Sequence, residues 1–392
     1  MIQSILDNDL YKFSMQQAVH TLYPRAEVQY TFINRSNTRF PRGFANLVQT
    51  EVQNMSGLRL HPEQKTFLKK RCYFLTPVYL DFLETYQYDP AEVSIHQEGH
   101  DLSLHIKGPW YRTILWEVPL MAIISEAYFK ATSQNGVSVA ERRRTNREKA
   151  RILSENGVKF ADFGTRRRFS ASNHDQVIQD LLDIENPTLI GTSNVHLALK
   201  YNLVPIGTLA HEWFMFHSVL HGYQMANPAA QDAWVRVFHG DLGIALTDTY
   251  TTDVFLSTFD TFYAKLFDGV RQDSGDPIEF TDKLVAHYRE RHIDPKSKTI
   301  VFSDGLNVDK AVRIHEYCQG KVRDAYGIGT NLTNDVGVSP LNMVIKLTRC
   351  RPATDKPWRH TVKLSDDQGK HTGDPKELEN CMNLFYIKKL PG

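Results

Sequence analysis

The feature that most constrains the fold is a repeated unit in which a short apolar run ends in a Gly-, Asp- or Ser-rich turn and a helical segment follows. From about Val158, seven such units follow one another, at 158–164, 188–191, 203–207, 242–248, 267–273, 299–304 and 321–327. Successive strand–helix units are typical of a parallel sheet or barrel. Their order favours a barrel-like α/β body over a β-sandwich.

The region before these units mixes helical and strand patterns. A helix is predicted from Asp9 to Leu22, and period-two alternation predicts a strand over 27–33. Residues 93–106 indicate a β-hairpin, because two alternating runs flank a polar turn. A largely buried helix is predicted over 116–130, and a highly charged, exposed helix over 141–154.

The chain after Val338 returns to alternation, at 342–347 and again at 360–364, and a short helix and a tail are predicted from Pro375 onward. We expect this last segment to pack back on the first region. The predicted organisation is an N-terminal α/β sandwich region over 1–125, a βα barrel catalytic body over 126–338 and a C-terminal segment over 339–392.

Composition excludes several classes of protein. Hydrophobic residues make up 41% of the 392 residues, enough to build cores that offset chain entropy. The net charge of +1 provides no overall field for nucleic acid or an anionic membrane. The longest apolar runs, such as 119–124, are far shorter than the ~20 residues of a membrane span. The four cysteines are widely spaced, and no secretory signal is recognised, so we expect a reduced, cytoplasmic protein.

Polar residues follow most of the apolar runs, and in a βα barrel these strand ends build the active site. Three consecutive arginines, Arg166, Arg167 and Arg168, follow the first run. Guanidinium groups match phosphate oxygens in pairs, but three in a row cannot all face one ligand, so at least one is expected to be structural. Phe163 beside them is either core or a flat face for an aromatic ligand.

Two Gly-plus-hydroxyl turns, at 190–194 and 326–331, are candidates for phosphate binding, because glycine lets backbone N–H groups approach an anion closely. Neither is a Walker A loop. The string 271–277 is more specific. In it, Arg271 could face a phosphate and Asp273 could hold ribose hydroxyls or a metal-bound water, while Asp276 and Pro277 open a helix.

A histidine stands just after the third run. His211 is not part of a zinc H-E-x-x-H motif, because Met215 occupies the second histidine position. It could act as a general base or as a nucleophile that becomes phosphorylated.

The usual phosphoribosyl pyrophosphate loop, a strand ending in adjacent acids, is absent, since Asp248 is the single acid after the run at 244–247. Near the N-terminus, Asp7 or Asp9 could cap the first helix.

Taken together, these strings resemble the bacterial nicotinate phosphoribosyltransferase family of pyridine nucleotide salvage. The resemblance spans most of the chain and rests on DLYK at 9–12, DFGTRRRF at 162–169, GTSN at 191–194, GTLAHEW at 207–213, RQDSGDP at 271–277, FSD at 302–304 and YGIGT at 326–330. The family fold implied is an irregular TIM-like α/β barrel, the type II phosphoribosyltransferase fold. A second α/β sandwich domain is implied, built from the N- and C-terminal segments.

The resemblance also implies a reaction. Nicotinate would attack C1 of 5-phosphoribosyl 1-pyrophosphate, giving nicotinate mononucleotide and pyrophosphate in the first committed step of NAD salvage from nicotinic acid. ATP would be a co-substrate, and His211 matches the histidine that ATP phosphorylates in the family. Mg²⁺ is the implied cofactor, with ligands unknown. A homodimer is implied, with Tyr11 contributed across its interface.

By motif, the nicotinate site would contain Tyr11, Phe163, Arg166 and Ser193. The phosphoribosyl and phosphate groups would be held by Arg271, Asp273, Ser303, Asp304, Gly329 and Thr330. Relatives that use nicotinamide carry an Asp in the loop that matches 191–194. Ser193 therefore favours the acid, because a carboxylate there would repel that of nicotinate.

Three other functions remain open at the level of sequence. A phosphoribosyltransferase for nicotinamide or quinolinate would share most of the motifs. A barrel isomerase or aldolase would share the phosphate loops, but its Schiff-base form needs a lysine at a strand end, which the barrel units lack. A catalytically inactive binding protein on this scaffold is disfavoured by the presence of His211, Arg166, Arg271 and Asp273.

Overall fold

A computed structural model describes residues 1–387 of the chain. Its N-terminal region contains three strands and most of the long helices that precede the barrel. These elements are α1 (Leu10–Leu22), β1 (Glu27–Asn34), α2 (Phe44–Met55), α3 (Pro62–Arg71), α4 (Pro77–Thr85), β2 (Val93–Glu98), β3 (Asp101–Pro109), α5 (Trp110–Thr113), α6 (Glu117–Ala131) and α7 (Val139–Glu155).

The central body alternates strands and helices. Its elements are β4 (Phe160–Asp162), α8 (Ala171–Leu182), β5 (Leu189–Thr192), α9 (Val195–Tyr201), α10 (His211–His221), α11 (Tyr223–Phe238), β6 (Ile244–Leu246), α12 (Thr252–Thr258), α13 (Thr261–Leu266), β7 (Gly269–Gln272), α14 (Pro277–Glu290), β8 (Thr299–Phe302), α15 (Val308–Cys318), β9 (Arg323–Ile328) and α16 (Thr330–Thr333).

The C-terminal segment contributes β10 (Met343–Arg351), β11 (Arg359–His360) and α17 (Pro375–Leu384). The helix predicted from Pro375 is therefore confirmed, whereas residues 388–392 of the predicted tail lie outside the described residues. The alternation at 360–364 does not form a strand of that length. After His360 the chain leaves the sheet, because the backbone N–H groups of Leu364 and Ser365 donate to carbonyls of the barrel loop at 248–249.

Two sheets organise the molecule. The parallel sheet has the order β5-β4-β9-β8-β7-β6, so six of the seven predicted strand–helix units supply a strand. The antiparallel sheet has the order β11-β10-β1-β3-β2. In it, β10 pairs along the whole length of β1, with Glu27 opposite Arg351 and Asn34 opposite Met343. The C-terminal segment thus completes the N-terminal sheet, as the implied fold requires.

The third predicted unit, at 203–207, forms no regular strand. Its contact with the sheet is a single bridge between Pro205 and Thr192, joined by a 2.9 Å hydrogen bond from the Ile206 N–H to the Thr192 carbonyl. The bridge uses the N–H groups of Thr192 and Ile206, so residue 205 faces the opposite side, toward β6. Proline has no N–H to donate there, which helps to explain why the segment does not pair with β6. The segment still lies between β5 and β6, since Thr208 donates to the Ile244 carbonyl at 3.1 Å.

The fold class predicted from the sequence, an α/β barrel with a second α/β layer, is confirmed. Buried apolar side chains of the barrel and of the antiparallel sheet form one continuous cluster. The domain boundaries at 125 and 338 stay predictions. All four cysteines are buried free thiols. Within residues 1–387, no helix combines the length and the apolar character needed to cross a membrane.

Candidate active site

A cavity of about 530 Å³ lies at the carboxyl ends of the barrel strands, within the size range of small-molecule sites. The barrel supplies the loops after β4, β5, β7, β8 and β9, and the antiparallel sheet closes the cavity with residues 345–347 of β10. Ten of the eleven site residues predicted from the sequence line it: Tyr11, Phe163, Arg166, Ser193, His211, Arg271, Asp273, Ser303, Gly329 and Thr330.

Asp304 is the predicted site residue that the cavity lining lacks. Its carboxylate accepts a 2.6 Å hydrogen bond from Lys370 of the C-terminal segment, and its carbonyl accepts one of 2.9 Å from Lys310. Its neighbours Ser303 and Gly305 do reach the cavity. The position of Asp304 therefore favours a role in holding the C-terminal segment against the barrel, rather than direct contact with a phosphate.

The aromatic side of the cavity is built on a glycine. The Phe163 ring lies so close to Gly327 of β9 that a Cβ there would stand 2.3 Å from two ring carbons. Only glycine at position 327 leaves enough space for the ring. One side of the Phe163 ring therefore packs against β9, and the rest of this half-buried side chain lines the cavity. Tyr11 lines the cavity of its own chain, so the site described here contains a tyrosine without a second subunit.

The three arginines separate as expected into different roles. Arg168 is 2% exposed and binds both carboxylate oxygens of Asp7 at 2.7 Å, an arrangement that fixes the loop after β4. Arg166 and Arg167 line the cavity instead. Arg166 lies 3.7 Å from Glu117, and its side chain is 43% exposed, so it is free to meet an anionic ligand.

A buried carboxylate stands beside Ser193. The Ser193 hydroxyl donates to Asp9 at 2.8 Å, and both residues line the cavity. Burial raises the pKa of Asp9, although Arg166 and hydrogen bonds from Thr165 and Ser193 oppose that shift. Asp9 occupies the N-cap position of α1, one of the two residues expected there, but its side chain makes no cap hydrogen bond, and Asp7 binds Arg168 instead.

A buried ion cluster supports the cavity floor. The Lys12 ammonium, which is fully buried, lies 2.6 Å from Glu117 and 3.0 Å from Glu212. Burial disfavours the charged lysine, but the two carboxylates outweigh it and raise the pKa of Lys12. Glu212 therefore pairs with Lys12 and does not orient His211, although it is the next residue in the chain.

His211 is the first residue of α10, and its imidazole stands among charged groups. Its Nε2 atom lies 2.9 Å from the Lys363 ammonium and 3.0 Å from Asp273 Oδ2. Asp248 Oδ1 is 3.7 Å from the same nitrogen, and Nδ1 is 3.2 Å from the Thr249 hydroxyl. The groups that orient the imidazole are therefore Asp273, Lys363, Asp248 and Thr249.

The electrostatics keep this imidazole neutral. Burial, assisted by Lys363, lowers the pKa of His211 to about 4, against the opposite influence of Asp248 and Asp273. A neutral imidazole at pH 7 keeps one nitrogen lone pair available for nucleophilic attack. The position at the beginning of a helix adds a partial positive charge, which suits a phosphoryl group.

Asp273 faces the cavity with a fixed negative charge. Burial opposes its ionisation, but Arg271, His211 and Lys363 outweigh burial and hold its pKa well below the ordinary value. Its second oxygen accepts a 2.8 Å hydrogen bond from Ser303. This hydrogen bond joins the loops that follow the adjacent strands β7 and β8. Asp276, three residues on, caps α14 through Ile278 and Glu279, as predicted.

A metal ion does not fit the carboxylate–histidine group as it stands. Ligand atoms of His211, Asp248 and Asp273 lie within 4.8 Å of one another. However, the Lys363 ammonium is 3.2 Å from Asp248 Oδ2 and 2.9 Å from His211 Nε2, so it already supplies the positive charge that this group needs. Mg²⁺, which is usually held by only one or two carboxylates together with substrate phosphates, would instead enter with the substrates.

Sequence reasoning missed two lysines and the use of Asp248. Lys346 of β10 lines the cavity, and it makes no ion pair or side-chain hydrogen bond to any residue of the described chain. Lys363 reaches His211 from the C-terminal segment. The signals were weak, since Lys363 lies within the string VKLSD at 362–366, and Asp248 was noted only as a single acid after a run.

Two models of one family match the chain. The description "Nicotinate phosphoribosyltransferase (NAPRTase) family" covers residues 158–389, and the N-terminal domain of the same family covers residues 6–125. The absence of a lysine at the barrel strand ends had counted against an aldolase. Lys346 of β10 nevertheless lines the cavity, so that absence alone does not decide the question, and the family match does.

Individual relatives agree over almost the full length. The chain is 65% identical over 385 residues to a nicotinate phosphoribosyltransferase of Desulforapulum autotrophicum, covering 98% of this chain and 99% of the relative. It is 50% identical to one of Chromohalobacter salexigens, covering 99% and 100%. The crystal structure of nicotinate phosphoribosyltransferase from Porphyromonas gingivalis superposes with a TM-score of 0.96 at 44% identity, covering 99% and 100%. With its fold, its cavity and these matches in agreement, the chain belongs to the nicotinate phosphoribosyltransferase family.

Proposed function

We propose that the chain joins nicotinate to the phosphoribosyl group of 5-phosphoribosyl 1-pyrophosphate, releasing pyrophosphate and forming nicotinate mononucleotide for NAD biosynthesis. ATP hydrolysis to ADP and phosphate drives the reaction through phosphorylated His211. The observation that carries the proposal is the presence, in one cavity, of a neutral histidine at a helix start and an aromatic ring beside an arginine.

Nicotinate binds at the aromatic side of the cavity. The pyridine ring stacks on Phe163, whose opposite side rests on Gly327. The Arg166 guanidinium pairs with the nicotinate carboxylate, a planar anion that matches its fork of donors. Ser193 places a neutral hydroxyl near this site, although Asp9 next to it means that a carboxylate is also close. Acid specificity therefore depends on Arg166 as much as on Ser193.

The phosphoribosyl group binds across the ends of β7, β8 and β9. Asp273, kept ionised by Arg271 beside it, accepts hydrogen bonds from the ribose hydroxyls. Ser303, Gly329 and Thr330 line the pocket for the 5′-phosphate, where backbone N–H groups supply donors. The ring nitrogen of nicotinate attacks C1 as the pyrophosphate leaves, so the catalytic tasks are orientation and stabilisation of the leaving anion.

His211 couples this transfer to ATP. Neutral Nε2 takes the γ-phosphoryl group, and the added negative charge lies beside the pyrophosphate site that Arg271 and Lys363 border. Mg²⁺ bound to the substrate phosphates would supply charge neutralisation. A homodimer with Tyr11 contributed across its interface remains part of the proposal, although Tyr11 also lines the cavity of its own chain.

Initial rates with nicotinate, nicotinamide and quinolinate, at fixed 5-phosphoribosyl 1-pyrophosphate, Mg²⁺ and ATP, test the substrate. We expect nicotinate to exceed both alternatives by about 100-fold or more, since mispaired polar groups in a closed site are costly. Equal or faster reaction with nicotinamide or quinolinate would contradict the proposal.

Two phenylalanines of one loop provide a matched control for the stacking role. Phe163→Leu should raise the KM for nicotinate about 10-fold, because stacking contributes about 1–3 kcal/mol per ring in comparable sites. Phe169→Leu should leave that KM unchanged, because Phe169 packs against Phe129 and Arg142, away from the cavity. Equal effects of the two changes would remove Phe163 from the nicotinate site.

A further inference from the structure

One stretch of the C-terminal segment, from Thr361 to Thr372, runs across the barrel loops that follow β6 and β7. Backbone N–H groups of Leu364 and Ser365 donate to the carbonyls of Thr249 and Asp248 at 2.8 and 3.1 Å. Further along, the Asp366 N–H donates to the Ser274 hydroxyl at 3.0 Å. The segment is therefore fixed at several points to the loops that follow β6 and β7, and its side chains have defined positions.

The Lys363 side chain has a fixed position on this segment, and its ammonium contacts His211 Nε2. Its backbone forms a pair of 2.8 Å hydrogen bonds with Thr372, and its side chain is 6% exposed. The ammonium lies 2.9 Å from His211 Nε2 and 3.2 Å from Asp248 Oδ2, and Asp248 is held in turn by a 2.7 Å hydrogen bond from Ser274.

The contact constrains the tautomer of the imidazole. An ammonium has three N–H donors and no acceptor, so a hydrogen bond from Lys363 requires a bare lone pair on Nε2. Asp273 Oδ2, 3.0 Å from the same nitrogen, favours a proton on Nε2 instead, so Lys363 and Asp273 compete for this atom. When Lys363 donates, the ring proton resides on Nδ1, 3.2 Å from the Thr249 hydroxyl oxygen. Without Lys363, the closest charged neighbour of Nε2 in the described structure is Asp273 at 3.0 Å, which would bind a proton on that nitrogen.

We propose that Lys363 is the positioning residue for phosphorylation of His211: it keeps Nε2 free of a proton and then neutralises the phosphoryl group on that nitrogen. This inference rests on the proposed ATP coupling. As the γ-phosphoryl group approaches, the Lys363 ammonium transfers its hydrogen bond from Nε2 to a γ-phosphate oxygen. The freed Nε2 lone pair forms the N–P bond, the bond from the γ-phosphorus to the β,γ-bridging oxygen breaks, and ADP leaves with that electron pair. The Nδ1 proton stays in place. Later attack by water breaks the N–P bond, releases phosphate and restores the lone pair.

Rapid phosphorylation with γ-labelled ATP tests the proposal in the full-length protein. Lys363→Met should slow formation of phosphohistidine by about 100-fold or more, comparable to the loss of one preorganised donor at a reacting centre. Lys363→Arg should recover most of the rate, because it restores a charged donor. Should the Met variant fail to fold, Lys363→Gln, which keeps a donor but no charge, is expected to show the same loss. Lys356→Met, an exposed lysine of the same C-terminal segment, should have no effect.

The tautomer itself provides a readout that a merely structural lysine would not move. In protein with ¹⁵N-labelled histidine, the His211 resonance, identified by its loss in His211→Asn, should report a proton on Nδ1. In Lys363→Met the proton should move to Nε2.

The outcomes separate the two proposals. If the wild-type protein forms no phosphohistidine, the ATP coupling and this inference both fail. If the wild type is phosphorylated and Lys363→Met is phosphorylated equally fast with an unchanged tautomer, the coupling stands and the role of Lys363 is refuted.

Discussion

At the scale of single residues, neighbouring side chains of one type have unrelated functions. Arg166 and Arg168 are two positions apart, yet the first lines the cavity and the second is buried against Asp7. The sequence predicted that not all of the arginines could face one ligand. Which of them is structural depends on the backbone turn at Thr165–Arg167, and no pattern in the sequence specifies that turn.

The two arginines should respond differently to substitution. Arg168→Ala should lower the free energy of unfolding by about 3–5 kcal/mol, since it leaves the buried Asp7 carboxylate without its ion-pair partner. Arg166→Ala should change it by less than about 1 kcal/mol but raise the KM for nicotinate 10- to 100-fold, the loss expected for a charged hydrogen bond. Denaturant unfolding and initial rates measure both. A large loss of stability in Arg166→Ala would mark that arginine as structural.

Lys346 gives the cavity a pH dependence of its own. Burial lowers its pKa to about 8, with Lys363 contributing and Glu117 opposing. The ammonium is therefore charged below pH 8 and neutral above it, so anionic ligands should bind more weakly as the pH rises from 7 to 9.5. We expect the KM of nicotinate or of 5-phosphoribosyl 1-pyrophosphate to rise over this range, and Lys346→Met to remove the rise. Identical pH profiles for the two proteins would contradict this role.

At the scale of elements, the sequence predicted the strands and helices that carry strong periodicity. Helix α6 and the β2–β3 hairpin were expected from their patterns alone. The unit at 203–207 has the same apolar pattern, but Pro205 has no N–H to donate toward β6, and a single bridge to Thr192 replaces the strand. The segment at 360–364 alternates like a strand, yet it binds barrel loops distant in sequence. Hydrogen bonds between segments so distant in sequence cannot be predicted from the residue pattern of either segment.

The Lys12 cluster joins three elements, α1, α6 and α10, at the cavity floor. Lys12→Met should cost about 3–5 kcal/mol of unfolding free energy, because it removes the cation that the buried Glu117 and Glu212 carboxylates share. Denaturant unfolding measures the loss. Replacing Glu212 by Gln in the same protein should recover part of it by removing one of the two charges. A change below about 1 kcal/mol in the single variant would show that the cluster is not a significant source of stability.

At the scale of the whole molecule, the C-terminal segment contributes both to the N-terminal sheet and to the surroundings of His211 in the barrel. Strand β10 pairs along β1, and the segment that follows it delivers Lys363 to His211 in the barrel. His211 and the glycine-containing turns at the cavity were predictable because each lies within a short, distinctive string. Lys346, Lys363 and the pairing of Asp248 were not, because their roles exist only after distant segments meet.

We propose that ATP hydrolysis is coupled to nucleotide formation through His211. The most direct test is to measure nicotinate mononucleotide formation from nicotinate and 5-phosphoribosyl 1-pyrophosphate with Mg²⁺, with and without ATP, in the wild type and in His211→Asn. We expect strong stimulation by ATP in the wild type and weak, ATP-independent synthesis in the variant. An unchanged response to ATP in His211→Asn, or no product from folded wild-type protein under either condition, would contradict the account.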